Sequence, residues 1–181
     1  MIASPVPIAP REVALPALGF TALREALFDE TGPVTAVHAL HAAGFRSGPE
    51  VAHHFVHEDG AAMTAIPDDA FWQGLSEHFA SRGWGALTFD AIHPGVGRLC
   101  SDDWAEAEGG DERHPSCAFT TGLLSSLLTE AAGGGIAVLE ITCRARGDDT
   151  CQWVFGSEMT IQVLYSSLIE GRALDDALRD L

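Results

Sequence analysis

Apolar positions in the first half of the chain recur with helical spacing. Phe20, Leu23 and Leu27 mark one helix, and Gly32-Pro33 opens a second that carries Val34, Val37 and Leu40. Ser47-Gly48-Pro49-Glu50 has the spacing of a capping box ahead of Val51 and Phe55. Asp68 or Asp69 caps a further helix with Phe71, Leu75 and Phe79 on one face. After Gly83 the period shortens. Two runs, 84–92 and 96–104, flank His93-Pro94-Gly95 and predict a hairpin. His114-Pro115-Ser116 then opens a helix through Cys117, Leu124 and Leu128, which Gly133-Gly134-Gly135 closes. Ile136 to Arg144 and Cys151 to Phe155 predict a second strand pair, and a last helix starts near Ser157 and breaks at Gly171.

These elements sum to an α+β fold: a mostly antiparallel sheet of about four strands, packed with N-terminal helices, a central helix and a C-terminal helix. At 181 residues, without a repeat or a linker, the chain is expected to form a single domain over 1–181. Its parts are a helical front half (1–82), a core (83–156) and a C-terminal helix (157–181).

Charge narrows the functions open to it. Asp and Glu number 26 against 10 Lys and Arg, for a formal net charge of -16. All the basic residues are arginine, and neither Lys nor Asn occurs, a bias typical of a high-GC bacterial genome. With no basic stripe, the acidic surface argues against nucleic-acid binding and against docking on anionic lipid. No apolar run reaches the roughly 18 residues of a spanning helix, and Met1 to Pro10 has no basic n-region of a signal peptide. The expected location is therefore the cytoplasm, where four cysteines read as thiols or metal ligands rather than disulfides.

Three of those cysteines fall in the C-terminal part. Cys143 and Cys151 flank a tight turn, and Cys117 starts the preceding helix. Zinc takes four ligands in a tetrahedron, and a site closed by four protein ligands is structural. Glu140 is the nearest fourth ligand. Residues three apart on a regular strand point to opposite faces, so Glu140 and Cys143 can share an ion only where the strand bulges. On spacing alone the thiols fit a metal site or three small buried apolar side chains.

From Gly83 to Phe155 the chain resembles the 4-vinyl reductase domain family. The resemblance rests on Cys117-Ala-Phe-Thr-Thr-Gly122, Glu140-Ile-Thr-Cys143 and Gly147-Asp-Asp-Thr-Cys151, and on Ser101-Asp-Asp-Trp104-Ala-Glu106-Ala-Glu108, which is similar to a short Ser-aromatic-Glu-Ala stretch of that family. The intervals of 23, 3 and 8 residues between Cys117, Glu140, Cys143 and Cys151 match those of the zinc-bearing sensory domains of phenol-responsive activators. The resemblance implies that these four side chains hold a structural zinc.

It also implies a pocket. In those sensors a His and a Trp contact the phenol hydroxyl. The His corresponds to His78 and the Trp position falls on Cys100, so a larger or differently shaped ligand than phenol is expected. Phe71, seven residues before His78, shares its helix face, and Phe89, Thr121 and Val138 face the pocket by their place in the family pattern. For each of these, ordinary packing or local hydrogen bonding is the competing reading, and for Cys100 it is a buried strand thiol. The His pairs among His38, His41, His53, His54 and His57 read as solvated helix faces, and Asp102, Asp103, Glu106 and Glu108 as a solvated acidic edge. Gly95-Val-Gly97 lacks the third glycine and the helix of a phosphate loop.

The resulting expectation is a non-catalytic protein that binds or senses a small hydrophobic, apolar or aromatic ligand. A homodimer is implied by the resemblance, and any signal would pass to a partner protein. The alternative is a tetrapyrrole-binding or vinyl-reductase-like factor of (bacterio)chlorophyll metabolism, for which no dinucleotide fingerprint is present. A structural part in an assembly, like that of vesicle-tethering subunits of similar fold, is a third reading.

Overall fold

The computed structural model describes residues 12–53, 55, 69–109 and 117–181. Among them the order is α1 (Ala17–Thr31), α2 (Pro33–Ala52), α3 (Asp69–Ser81), β1 (Thr88–His93), β2 (Val96–Ser101), a 3-10 turn (Ala105–Ala107), α4 (Ala118–Ala132), β3 (Ile136–Thr142), a second 3-10 turn (Arg144–Arg146), β4 (Cys151–Ser157), α5 (Glu158–Ile169) and α6 (Leu174–Leu178). The four strands form one antiparallel sheet in the order β1-β2-β4-β3. The expected α+β architecture is present. His54, His57, Asp68, the His114 to Ser116 helix start and the first eleven residues lie outside the described residues.

Alternation along the strands sorts side chains onto two faces. Leu99, Val138, Cys151 and Trp153 join the larger core with α3 and α4. Val96 and Val154 join a smaller core with Ile161 and Leu164 of α5 and with α6. The larger core is rich in aromatic rings: Trp72 of α3 stacks on Phe89 of β1 with centroids 4.1 Å apart and planes 7° from parallel.

The central helix α4 lies between α2 and the sheet. A helix covered on all sides needs apolar or small residues all round, and Leu123, Leu124, Ser125, Ser126, Leu127 and Leu128 are all buried. It ends at Gly133, whose left-handed backbone (φ 64°) suits a residue without a Cβ. Against α2 the helix backbones nearly touch. A Cβ on Gly44 would stand 1.9 Å from Phe119 O, and one on Gly122 would stand 2.0 Å from His41 O.

That contact corrects the reading of Ser47 to Glu50. The segment is inside α2, not a new helix start, and Pro49 is accommodated within the helix. The Ser47 hydroxyl donates back to Ala43 O instead of capping. A proline in a helix interior is costly, but this one falls in the last turn, and Gly48 beside it lets α2 close on Ser126. In α1 the inward residues also differ from the apolar reading. Leu23 is 60% exposed, whereas Thr21 and Arg24 are buried. Both reach inward to carbonyl groups, Thr21 to Glu108 O at 2.7 Å and Arg24 to Glu106 O at 2.6 Å.

Because the α2–α4 contact leaves no room for a methyl group, Gly122→Ala is expected to cost about 3 kcal/mol in chemical denaturation, toward the upper end of overpacking effects. Gly134→Ala, with nothing within 4 Å of the added carbon, should change stability by less than about 0.5 kcal/mol.

Candidate metal centre and adjacent cavity

Cys117 is the N-cap residue of α4, Cys143 follows the last residue of β3, and Cys151 opens β4. All three are fully buried, and their sulfurs lie within 4.8 Å of one another. Cys117 Sγ stands 3.7 Å from Cys143 Sγ and 3.9 Å from Cys151 Sγ. No disulfide joins them. Tetrahedral zinc–thiolate bonds of about 2.3 Å place two sulfurs roughly 3.8 Å apart. The observed spacing is therefore that of thiolates around one ion and far from that of a bonded pair.

The strand objection to Glu140 is met by a bulge. Up to Glu140, β3 pairs one residue for one with β4, and Glu140 lies opposite Trp153; the next pair is Thr142 with Gln152. Ile141 is thus one residue in excess, and the side-chain alternation shifts by one. Glu140 is on the face of Trp153 and Cys151, and the shift brings Cys143 onto that face as well. The Glu140 carboxyl meets the Cys143 and Cys117 thiols. Its Oε1 is shielded from solvent and has no hydrogen-bond partner among the described residues, as expected of an atom whose natural partner is a cation.

The turn between the strands is tied down independently. Asp148 Oδ2 accepts from Cys143 N at 2.7 Å, and Thr142 Oγ1 donates to Thr150 O at 2.7 Å. In the absence of a cation the cluster favours its protons. Burial and the Cys143 thiol push the Glu140 carboxyl up to about 8, and the neighbouring thiols and burial push Cys117 well above the ordinary thiol range. A divalent ion at the centre reverses that balance by compensating four converging negative groups.

The same turn of α4 carries a second buried acidic group, which the acidic-edge reading missed. Glu106 is fully buried. Its carboxylate accepts from Phe119 N at 2.9 Å and Thr120 N at 2.8 Å, and also from the Thr120 hydroxyl. The Trp104 indole N–H donates to Thr120 Oγ1 at 2.7 Å. Glu106 therefore supplies acceptors to the first-turn amides of α4, which cannot reach water and which favour negative charge. Burial nevertheless pushes its carboxyl up to about 7. The available signal was Trp104: a large aromatic two residues before Glu106 marks the segment as turned inward. Asp103 is likewise structural, accepting from Ala86 N at 2.9 Å.

Beside this turn lies a cavity of about 600 Å³. Phe20, Trp84, Phe119 and Leu123 form its apolar wall, Glu106 its floor beside α4, His78 and Arg82 the end of α3, and residues 12–15 its outer side. Phe20, Trp84 and Phe119 contact one another, with centroids 5.5 to 5.9 Å apart.

Of the six residues expected to contact a ligand, His78 lines this cavity, with its ring against Phe55 and Phe79. The other five do not line it. Phe71 packs on Phe55 and Trp72, Phe89 stacks on Trp72, and Val138 is in the larger core. The Thr121 hydroxyl donates to Cys117 O at 2.8 Å. Cys100 pairs with Thr88 and Gln152, so alternation directs it to the face opposite Leu99 and Phe89. It therefore cannot share a pocket on their face of the sheet. Burial pushes its thiol up. The lead-in at 12–15 and Phe119 were not singled out, because neither carries a chemically distinctive residue pattern.

Residues 102–157 match the 4-vinyl reductase domain. The resemblance to that family thus holds over the segment that contains Glu106 and all four proposed metal ligands. No curated protein matches the chain by sequence. Among solved structures, the phenol-responsive sensory domain of the transcription activator PoxR with phenol is similar at a TM-score of 0.68 and 19% identity, covering 92% of this chain and 84% of that one. A trafficking protein particle complex subunit 3 from Naegleria fowleri, covalently bound to palmitic acid, is similar at 0.61 and 13%, covering 77% and 91%. A vinyl-4-reductase family protein from Methanocaldococcus jannaschii follows at 0.51 and 19%, covering 81% and 82%. At these identities the three share the fold with the present chain. No described helix is long and apolar enough to cross a membrane.

The raised Glu106 carboxyl sets a pH dependence. Between the ordinary glutamate value of 4.5 and about 7 the folded protein keeps a proton that the unfolded chain releases, so stability falls as pH rises through that window. The expected contribution is about 3 kcal/mol. Denaturation midpoints measured from pH 4 to 8 should show a shallower decline in Glu106→Gln than in the wild type; parallel profiles would assign the slope to other groups.

Proposed function

We propose that this chain is a non-catalytic binding or sensing protein for a small apolar or aromatic molecule, with a structural zinc held by Cys117, Glu140, Cys143 and Cys151. The observation that carries the reading is the shared first turn of α4: Cys117 joins the thiol cluster, and Phe119, two residues on, forms the wall of the cavity. A cavity of about 600 Å³ is within the range that encloses a small organic ligand, and its mix of aromatic wall and few polar groups is typical of such sites. When bound, zinc supplies structural cross-linking of α4 to the β3–β4 hairpin.

Four protein ligands complete the coordination of zinc and leave no open position for a substrate, which supports binding over catalysis. A tetrapyrrole factor remains the alternative, named by the vinyl-4-reductase likeness. In this reading the protein acts in the cytoplasm. Ligand occupancy is passed on through a partner protein or across a homodimer, because a change at the lead-in, which lines the cavity, alters an outer surface.

Metal analysis beside native mass spectrometry tests both parts. The wild type should contain one zinc per chain and retain an organic ligand or bind an added one. Cys143→Ser should lose the metal and unfold at markedly lower denaturant, since metal-binding energy is folding energy. A reduced wild type that is metal-free and as stable as the variant would remove the zinc assignment. Turnover of NADPH with a vinyl-tetrapyrrole would overturn the non-catalytic reading.

A further inference from the structure

Among the described residues the cavity has one strongly basic side chain, and its surroundings specify what it is built to hold. Arg82 lies at the end of α3, where its Nη1 donates to His78 O at 3.0 Å and contacts Ser81 Oγ at 3.4 Å. These bonds come from its own helix end, whose carbonyls favour a cation. They fix the guanidinium and leave the Nε edge facing Glu12 Oε1 at 2.8 Å. Glu12 is 70 residues away in sequence, on the lead-in that forms the outer side of the cavity.

The two ends of this ion pair are held unequally. Arg82 keeps its helix-end bonds whether or not Glu12 is present. The lead-in is largely open to solvent: its Val13 is 83% exposed and its Leu15 66% exposed. Both charged side chains are partly solvated, at 33% and 52% exposure, and pairs of that kind contribute little to stability. A second carboxylate that also buries an apolar body against Phe20, Trp84 and Phe119 has an advantage Glu12 lacks. The exchange leaves the charge facing Arg82 unchanged, and the Nε edge of a guanidinium is suited to a carboxylate. A neutral ligand has no group to make this exchange.

We infer that the ligand is an apolar or aromatic monocarboxylate, whose carboxylate takes the place of Glu12 on Arg82 and so detaches residues 12–15 from the cavity mouth. This rests on the reading of the cavity as the ligand site and names its ligand class and its signal.

Isothermal titration of the full chain with 2-naphthoate and with 2-naphthol, at neutral pH and with tryptophan fluorescence as a second readout, tests it. The acid should bind several-fold more tightly than the neutral alcohol to the wild type, and at least about tenfold more tightly to Glu12→Gln, where no carboxylate is displaced and one charge-assisted hydrogen bond is added. Arg82→Gln should abolish that preference while leaving naphthol binding in place. Glu12→Gln, on an exposed segment where folding is not at stake, should tighten naphthoate several-fold by removing the competitor and leave naphthol unchanged. Equal binding of the two probes to the wild type, or naphthoate weakened by Glu12→Gln, would overturn the carboxylate exchange with the cavity reading intact. Binding of neither probe to the folded wild type would overturn both.

Discussion

A helix enclosed on all sides presents its first amides to a place water does not reach, and those amides need acceptors. At the buried start of α4 the chain supplies them from Glu106, thirteen residues before Phe119 in sequence, and it uses Cys117 as the residue before the first turn. One short stretch of backbone thereby orients the thiol cluster, fixes Glu106 and sets Phe119 in the cavity wall. The glycine contacts with α2 hold that stretch in place from behind, and the sheet holds it from the front.

Much of this arrangement was legible from the residues. Period and punctuation placed the helices and both hairpins, since Pro94-Gly95, the Gly133 run and Ser157 fix turns and caps by local chemistry alone; Ser157 accepts from Thr160 N at 3.1 Å as an N-cap should. The three cysteines stood out by their positions, and the structure brings their sulfurs together, whereas Glu140 joined them through the resemblance and not through spacing alone. What failed were positions whose state is decided by a distant neighbour. Glu106 looks like its acidic neighbours until α4 is placed over it. Leu23 looks inward until Thr21 and Arg24 are seen to serve carbonyls of the 101–109 segment. Pro49 looks like a helix start until the glycine face of α2 meets α4. In each case a tertiary contact overrides a local preference.

The two faces of the sheet divide the labour. The aromatic face gathers Trp72, Phe89 and Phe155 into the same core as Trp104 and the three thiols. The other face is closed by α5 and α6 around Val154 and Leu164. Cys100 is on this second side, beside Arg98 and Asp90, which separates the fourth thiol chemically from the other three. The cavity lies away from that thiol, between α1, the end of α3 and the start of α4.

The extra residue at Ile141 makes the distance between two ligands a matter of parity. On an unbroken strand, side chains that share a face are separated by an even number of positions, so Glu140 and Cys143 are an odd pair that only an irregular strand can unite. Removing one residue from that short stretch would leave every ligand present in the chain and yet turn the hairpin tip over, sending Cys143 to the side of α5. The ligand set is therefore specified by counting as much as by composition, and a change in chain length there would be more damaging than many changes of residue type.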